Sequence, residues 1–545
     1  MGGIGPTCRS VVHHIRTSEL MLFNSYEFIL IFLPLCLLGF FLLGNRGKIA
    51  AASWWLTATS LGFYAWWNPA GDGKPWTPFY LALIIVSIVF NYWLGVGISR
   101  QKERGNTPAA KAFLTLGVVV NMVALAWFKY ADFGVALVNS TFGGHFPAPH
   151  VLLPLAISFF TFTQIAYLVD AWHGVTKEYN FRWYALFVSF FPHLIAGPIV
   201  LYRSLMPQFA LRETWRFNAD NFAAGFTLFA FGLFKKAVIA DALSPTANAV
   251  FLGVAGGSDP GMLTAWVGAL AYTFQLYFDF SGYSDMAVGI GRMFNVRFPL
   301  NFDSPYKARD IVDFWRRWHI TLSQFLRDHL YIPLGGSRCG PARRYTNLFL
   351  TMLLGGLWHG AGWAFIIWGG LHGTYLCVNH AWTSFAKNRA FLQSKPAIFG
   401  GWLVTFLAVV VGWVFFKAGD HGLYRAGATR GEFDVAREML EGMTGLNGCT
   451  LPLQIKPMLA SLAGTFQFAA APFKVQELPW IFGAGLIAFF APNTQQLFRV
   501  AIPARETAEP PIWKMNGLWV AVTAVVFVVA FFRLTGVTEF LYFQF

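Results

Sequence analysis

The chain has 545 residues, of which 56% are hydrophobic and only 12% charged, about half the charged share of a water-soluble globular protein. Its 58 Phe, 22 Trp and 18 Tyr are more ring area than a soluble surface hides, so secreted, disordered and collagen-like classes are excluded in favour of a lipid-embedded chain. The net charge of +14 is then read as cations in cytoplasmic loops, with no nucleic-acid partner expected.

A membrane crossing needs about 20 apolar residues, and runs of that order recur throughout. They begin at Phe28–Gly44, Ile49–Gly71, Pro75–Ser99, Ala112–Phe128, Val151–Val169 and Trp183–Tyr202. They continue at Asn221–Phe234, Met262–Phe278, Tyr345–Ala386, Pro396–Phe416, Leu478–Phe498 and Met515–Phe532. Tyr345–Ala386 holds no Asp, Glu, Lys or Arg in 42 residues, enough for two crossings or for one plus a re-entrant piece. The expected fold is an all-α polytopic transmembrane helical bundle of about ten to thirteen crossings, some of them broken or re-entrant.

Short loops rich in Lys and Arg face the cytoplasm. Arg46 and Lys48, then Arg100 to Lys111, then Lys177 and Arg182 alternate with cation-poor stretches at Asn68–Lys74 and Ala131–His150. Towards the other end Lys387, Arg389 and Lys395 read as inside, and the FLYFQF tail as outside. Residues 1–20 are polar and lack the apolar stretch of a signal peptide. They are expected to be a disordered extension or a mis-assigned start, with Met21 a more natural beginning. No fixed-period repeat or Gly/Ser linker divides the rest, so residues 21–545 are expected to form one membrane domain. Within it a core over 158–373 and a small extramembrane cap over 418–456 are expected. The five cysteines include no C-x-x-C pair, so neither a disulfide framework nor a thiolate metal site is signalled.

The hydropathy breaks down between Asp279 and Gly373. From Arg292 to Arg344 ten Lys or Arg stand against four Asp. Simple positive-inside anchoring accounts for that excess as well as a phosphate-bearing substrate does. Rings interleave with the cations in FWRRWH (Phe314–His319), where guanidinium groups pair with phosphates and rings stack or line a lipid boundary.

His319 ends that motif, and His359 lies in GGLWHGAGW inside the uncharged stretch. An ionisable residue within a membrane segment marks a functional site by default, and imidazole takes a proton from a hydroxyl near neutrality. The competing reading makes His359 a packing residue hydrogen-bonded between helices. His372 and His380 share a helix, but no carboxylate or thiolate arrives at ligand spacing and H-E-x-x-H is absent, so no metal is expected. The glycines around His359 allow a helix to break where backbone lines a cavity. Nucleophile-elbow, Walker and dinucleotide motifs are missing.

Four blocks then run in order: YFDFSGYSDMAVGIGRMF (Tyr277–Phe294), PLNFDSPYKARDIVDFWRRWHITLS (Pro299–Ser323), YIPLGGSR (Tyr331–Arg338) and GGLWHGAGWAFIIWGGLHG (Gly355–Gly373). With SFFTFTQIAYLVD (Ser158–Asp170) and FFPHLIAGPI (Phe190–Ile199), the sequence resembles the membrane-bound O-acyltransferases. More narrowly it is similar to the bacterial membrane subunits of alginate-type O-acetylation (the AlgI type). The resemblance implies a helical bundle with a central tunnel in the inner (cytoplasmic) membrane. It implies His359 as the signature catalytic residue and His319 as the second motif histidine. The implied donor is acetyl-CoA, with no tightly bound cofactor. The implied partners are periplasmic acetyltransferase subunits that complete transfer to an exported polysaccharide, besides membrane lipids.

The residue reading adds Arg309, Arg316 and Arg317 as candidates for the CoA phosphates, or equally for anionic headgroups. Asp285 and Asn301 are candidates for shaping the site. The nearest enzymatic alternative is a relative that transfers D-alanyl groups, or one that acylates peptidoglycan. A transporter with broken helices and a silent scaffold of an export complex are the alternatives from other classes.

Overall fold

The computed structural model describes residues 21–66, 78–195, 197–386, 394–424, 428–457, 467–498, 513–534 and Leu541. The 1–20 extension, Lys387, Arg389 and all of the FLYFQF tail but Leu541 lie outside the described residues. The fold is all-α and polytopic. Among the described residues five helices are long and apolar enough to cross a bilayer: Phe28–Asn45, Phe79–Glu103, Thr107–Phe142, Ala219–Ala255 and Lys395–Ala418. Val475–Phe490 and Gly517–Phe532 are shorter apolar helices. The only strands among the described residues are the parallel pair β1 (Thr450–Pro452) and β2 (Gln467–Ala469). Helices prevail because a backbone in hydrocarbon has no water to take its hydrogen bonds and satisfies them within its own segment.

Chain contacts define two compact units. The first takes the described residues up to Val123 together with Leu152–Ile195 and Phe209–Phe217. It contains α1 (Leu33–Asn45), α2 (Ile49–Ala65), α3 (Pro78–Glu103) and the first half of α4 (Thr107–Phe142), then α5 (Ile157–His173), α6 (Phe181–Ser189) and α7 (Phe191–Leu194). Phe23, Phe28, Phe32, Phe63 and Phe191 form one cluster with ring centroids 5.0 to 6.3 Å apart. Across α3 and α4 the buried amides of Asn91 and Asn121 bond each other reciprocally at 3.3 and 2.7 Å, which is how polar side chains are accommodated between apolar helices.

The second unit takes Ala124–Val151, the described part of 196–208, and the described residues from Asn218 onward. After α8 (Tyr202–Phe209) its centre is α9 (Ala219–Phe234) against α11 (Met262–Met293), with α10 (Asp241–Ala255) following α9. Around these stand α12 (Ile311–Arg317), α13 (Ile320–Leu326), α14 (Pro341–His359), α15 (Trp363–Ala386) and α16 (Lys395–Ala418). The polar α17 (Glu432–Thr444), α18 (Leu478–Phe490), α19 (Thr494–Phe498) and α20 (Gly517–Phe532) complete it.

Glycines bring α9 and α11 into backbone contact. A Cβ on Gly225 would stand 2.5 Å from the Gly289 carbonyl oxygen, and one on Gly232 would stand 2.6 Å from that of Gly282. Small residues at a crossing let the dispersion contacts of whole backbones replace a hydrophobic drive that lipid does not supply. Gly232→Val is therefore expected to destabilise the protein by at least ~1–3 kcal/mol, the usual cost of overpacking. Thermal denaturation in detergent checks it, with Gly62→Ala as control, because a Cβ there meets nothing within 4 Å. Equal melting temperatures for the two variants would remove the close crossing.

Several spans differ from their hydropathy runs. No single helix covers Trp183–Tyr202: α6 ends at Ser189, Phe190 turns out of helical geometry at ψ 104°, and α7 lasts four residues. Pro192 and Pro198 follow closely, and proline removes a backbone donor. The run ending at Phe234 instead continues through a wide turn at Lys235–Ala240 into α10. The two lysines that follow the run, Lys235 and Lys236, are inside the bundle, where carboxylates meet them. Helix α4 likewise runs on past Phe128 to Phe142, taking the start of the expected Ala131–His150 loop into a helix.

Candidate active site

His319 sits in the turn between α12 and α13. Its backbone is left-handed, at φ 42° and ψ 55°, a region that a non-glycine residue occupies only when its surroundings hold it there. Asn301 supplies that hold. Its carbonyl accepts from the Ile320 N–H at 2.9 Å, and its side-chain oxygen accepts from the Thr321 hydroxyl at 2.6 Å. The Thr321 hydroxyl oxygen in turn accepts from the Ile199 N–H at 3.0 Å. The His319 ring is buried and meets the Phe280 ring edge-on at 4.8 Å.

His359 is the last residue of α14. Its ring is buried and lies edge-on to Trp358 at 4.9 Å, Trp368 at 5.0 Å and Phe416 at 5.2 Å. The chain breaks over Gly360, Ala361 and Gly362 and returns as α15. The two helices pack backbone to backbone at Gly356 and Gly369, where a Cβ on Gly356 would stand 2.9 Å from the Gly369 Cα. Within the uncharged stretch the structure has two helices joined by this tight turn.

A chain of ring contacts links the two histidines, starting from Phe280 beside His319, which packs on Phe302 at 4.9 Å, and from Phe302 to Trp318 at 5.1 Å. Trp318, the neighbour of His319, lies 4.8 Å from Trp413; Trp413 lies 5.9 Å from Trp368; and Trp368 faces His359. His372, fully buried, packs on the same Trp368 at 4.8 Å and on Trp315 at 5.2 Å. Residues 40 positions apart thus share one aromatic nest. Such a nest excludes water and leaves imidazole as the proton-accepting chemistry nearest to hand.

The other predicted residues divide. Asn301 supports His319 directly. Arg317 is held by Asp313 at 2.8 Å and by the Asp303 carbonyl at 3.2 Å. Arg309 and Arg316 are exposed and have no carboxylate partner among the described residues. Asp285 accepts from Lys235 at 2.6 Å and from the Thr494 hydroxyl at 2.7 Å, so its partners are α19 and the turn after α9 rather than an imidazole. Among the described residues no cluster of three His, Cys, Asp or Glu is arranged to hold a metal.

Three residues near His359 are not evident from sequence. Lys129 and Tyr130 of α4 bond the carbonyls at the end of α14. Glu432 of α17 accepts from the Ala364 N–H at 3.0 Å, at the start of α15. Burial pushes the Glu432 carboxyl above its usual range, against the pull of that N–H and of His421; it accepts the bond in either protonation state. The one available signal was a lysine at the edge of an apolar run, which reads as a span end.

The family model for MBOAT, the membrane-bound O-acyltransferase family, matches residues 174–417, the part that holds both histidines. The chain is 41% identical to the peptidoglycan O-acetyltransferase of Helicobacter pylori, over 90% of this chain and 93% of that one. It is 44% identical to the probable alginate O-acetylase AlgI of Azotobacter vinelandii, over 81% and 82%. It is 28% identical to the teichoic acid D-alanyltransferase of Streptococcus thermophilus, over 48% and 68%. The chain belongs to the membrane-bound O-acyltransferase family and is a multi-pass membrane acyltransferase.

Proposed function

We propose that this protein takes acetyl groups from acetyl-CoA at the cytoplasmic face of the inner membrane and passes them across for O-acetylation of an exported polysaccharide. The single observation that carries the reading is the shared aromatic nest of His319 and His359 in a chain so similar to acetyl-transferring relatives. His359 acts as general base. The acceptor hydroxyl gives its proton to the imidazole, and its oxygen attacks the thioester carbonyl. The C–S bond of the tetrahedral intermediate then breaks, and the departing CoA thiolate takes the proton back from the imidazolium. His319, held in its strained turn by Asn301, orients the reacting groups.

Arg309 and Arg316 are available to the CoA phosphates, since no carboxylate among the described residues occupies them, whereas Arg317 is already engaged. A tunnel through the bundle admits thioester from one side and hydroxyl from the other. Periplasmic acetyltransferase subunits complete the transfer to polymer. Alginate and peptidoglycan are the acceptors named by the relatives, and both offer hydroxyls.

The test is a proteoliposome assay with radiolabelled acetyl-CoA outside and a periplasmic extract with polymer inside. Stoichiometric CoA release with label on the enclosed acceptor is the expected result. D-alanyl transfer from a carrier-protein thioester with no use of acetyl-CoA would overturn the acetyl reading. Solute uptake without acyl transfer would overturn the proposal that the chain passes acetyl groups across the membrane.

A further inference from the structure

We propose that Lys129 and Glu432, with Tyr130, are positioning residues that clamp the two helix ends flanking His359 and hold its imidazole in register for the reaction. The inference rests on the reading of His359 as the general base. It begins from an accounting question. The last carbonyls of a helix and the first N–H groups of the next have no partner inside their own helices, and away from water each unsatisfied group is costly. The chain makes both kinds of end within four residues of one another, α14 closing at His359 and α15 opening at Trp363.

Each end is met by a side chain from elsewhere. At the end of α14 the Tyr130 hydroxyl donates to the Leu357 carbonyl at 2.6 Å, and the Lys129 ammonium donates to the Trp358 carbonyl and to the His359 carbonyl, the latter at 2.9 Å. The ammonium also stands 5.6 Å from the centre of the Trp358 ring. At the start of α15 the Glu432 carboxylate accepts from the Ala364 N–H at 3.0 Å. Gly362 makes room for it, because a Cβ there would stand 2.9 Å from both carboxylate oxygens.

The charges match the helix dipoles: a cation at the negative C-terminus of α14 and an anion at the positive N-terminus of α15. A lysine inside a membrane-crossing helix is rare without such employment. The His359 ring is a side chain on the very backbone unit whose carbonyl Lys129 holds. Loosening that carbonyl lets the turn shift, and a displacement of about 1 Å at a reacting group costs about a hundredfold in rate.

The test measures kcat and KM for acetyl-CoA in proteoliposomes of the full chain, with periplasmic extract as acceptor. The variants are Lys129→Met, Lys129→Arg, Glu432→Ala, Glu432→Gln and Tyr130→Phe. Lys129→Met is expected to lower kcat by about 10- to 100-fold with KM shifted less than about threefold. Lys129→Arg keeps the donor and is expected to recover most of that loss, as Glu432→Gln does relative to Glu432→Ala. Should Lys129→Met fail to insert, Tyr130→Phe removes one bond only, with kcat expected to fall by about three- to tenfold.

His359→Ala is assayed beside them. If it keeps full transfer, the general-base reading falls and takes the clamp with it. If it is inactive while Lys129→Met, or Tyr130→Phe in its place, turns over at the parental kcat, the clamp alone falls. Lower yield and melting temperature with unchanged kcat would equally overturn it, as would a failure of both conservative replacements to rescue.

Discussion

His359→Ala is expected to lower kcat for acetyl transfer by about 10²- to 10⁴-fold, the range over which a positioned general base contributes. The fold is expected to survive, because the ring lies among Trp358, Trp368 and Phe416 at a helix end, and the hydrogen bonds to its backbone carbonyl do not depend on its side chain. The measurement is labelled acetyl transfer in proteoliposomes, with insertion checked by protease protection. The opposing result, full transfer with the ring removed, would make His359 a packing residue between helices. His319→Ala offers a contrast. The bonds by which Asn301 holds the left-handed turn reach Ile320 and Thr321 and not the His319 side chain, so that variant removes the imidazole and leaves them in place.

A second large effect is expected away from the histidines. Lys236 is wholly buried and bonds two carboxylates, Asp241 at 2.5 Å and Asp279 at 2.9 Å. Asp279 also accepts from the Leu541 N–H at 3.3 Å. Lys236→Met leaves two carboxylates without their cation, and breaking a buried pair from one side costs ~3–5 kcal/mol. Chemical denaturation in detergent is the measurement. The double variant Lys236→Met with Asp279→Asn is expected to lose less than the sum of the two single changes, since the two groups share one interaction. Additive losses would show that the lysine and the aspartate act independently.

Much of the fold is legible from residues close together in the chain. The apolar runs, the uncharged stretch from Tyr345 to Ala386 and the basic FWRRWH segment are visible directly, and most of their residues are helical, with the chain turning at Trp318–His319 and over Gly360–Gly362. Where the reading and the structure part, a distant partner has changed the meaning of a residue. Lys235 and Lys236 follow the end of an apolar run, yet the chain stays helical through them, with Asp285, 50 residues on, and Asp279 receiving them. Arg317 looks like its neighbour Arg316, yet it is taken up by Asp313 and Asp303 while Arg316 stays exposed.

The same division holds at the candidate site. The two histidine motifs are evident as imidazoles where hydropathy leaves no ordinary reason for them. Their linkage through Phe280, Phe302, Trp318, Trp413 and Trp368 is not evident, nor is the approach of Lys129 to a carbonyl 230 positions away. Sequence alone determined the class of solvent, the helical secondary structure and the residue types able to move a proton, because hydrophobicity, helix-forming periodicity and side-chain chemistry belong to local stretches of chain. Only the tertiary structure decided which charges are spent on each other, where helices break, and what holds the histidines. Those outcomes depend on which distant donors and acceptors are brought within about 3 Å in a medium that offers no water in their place.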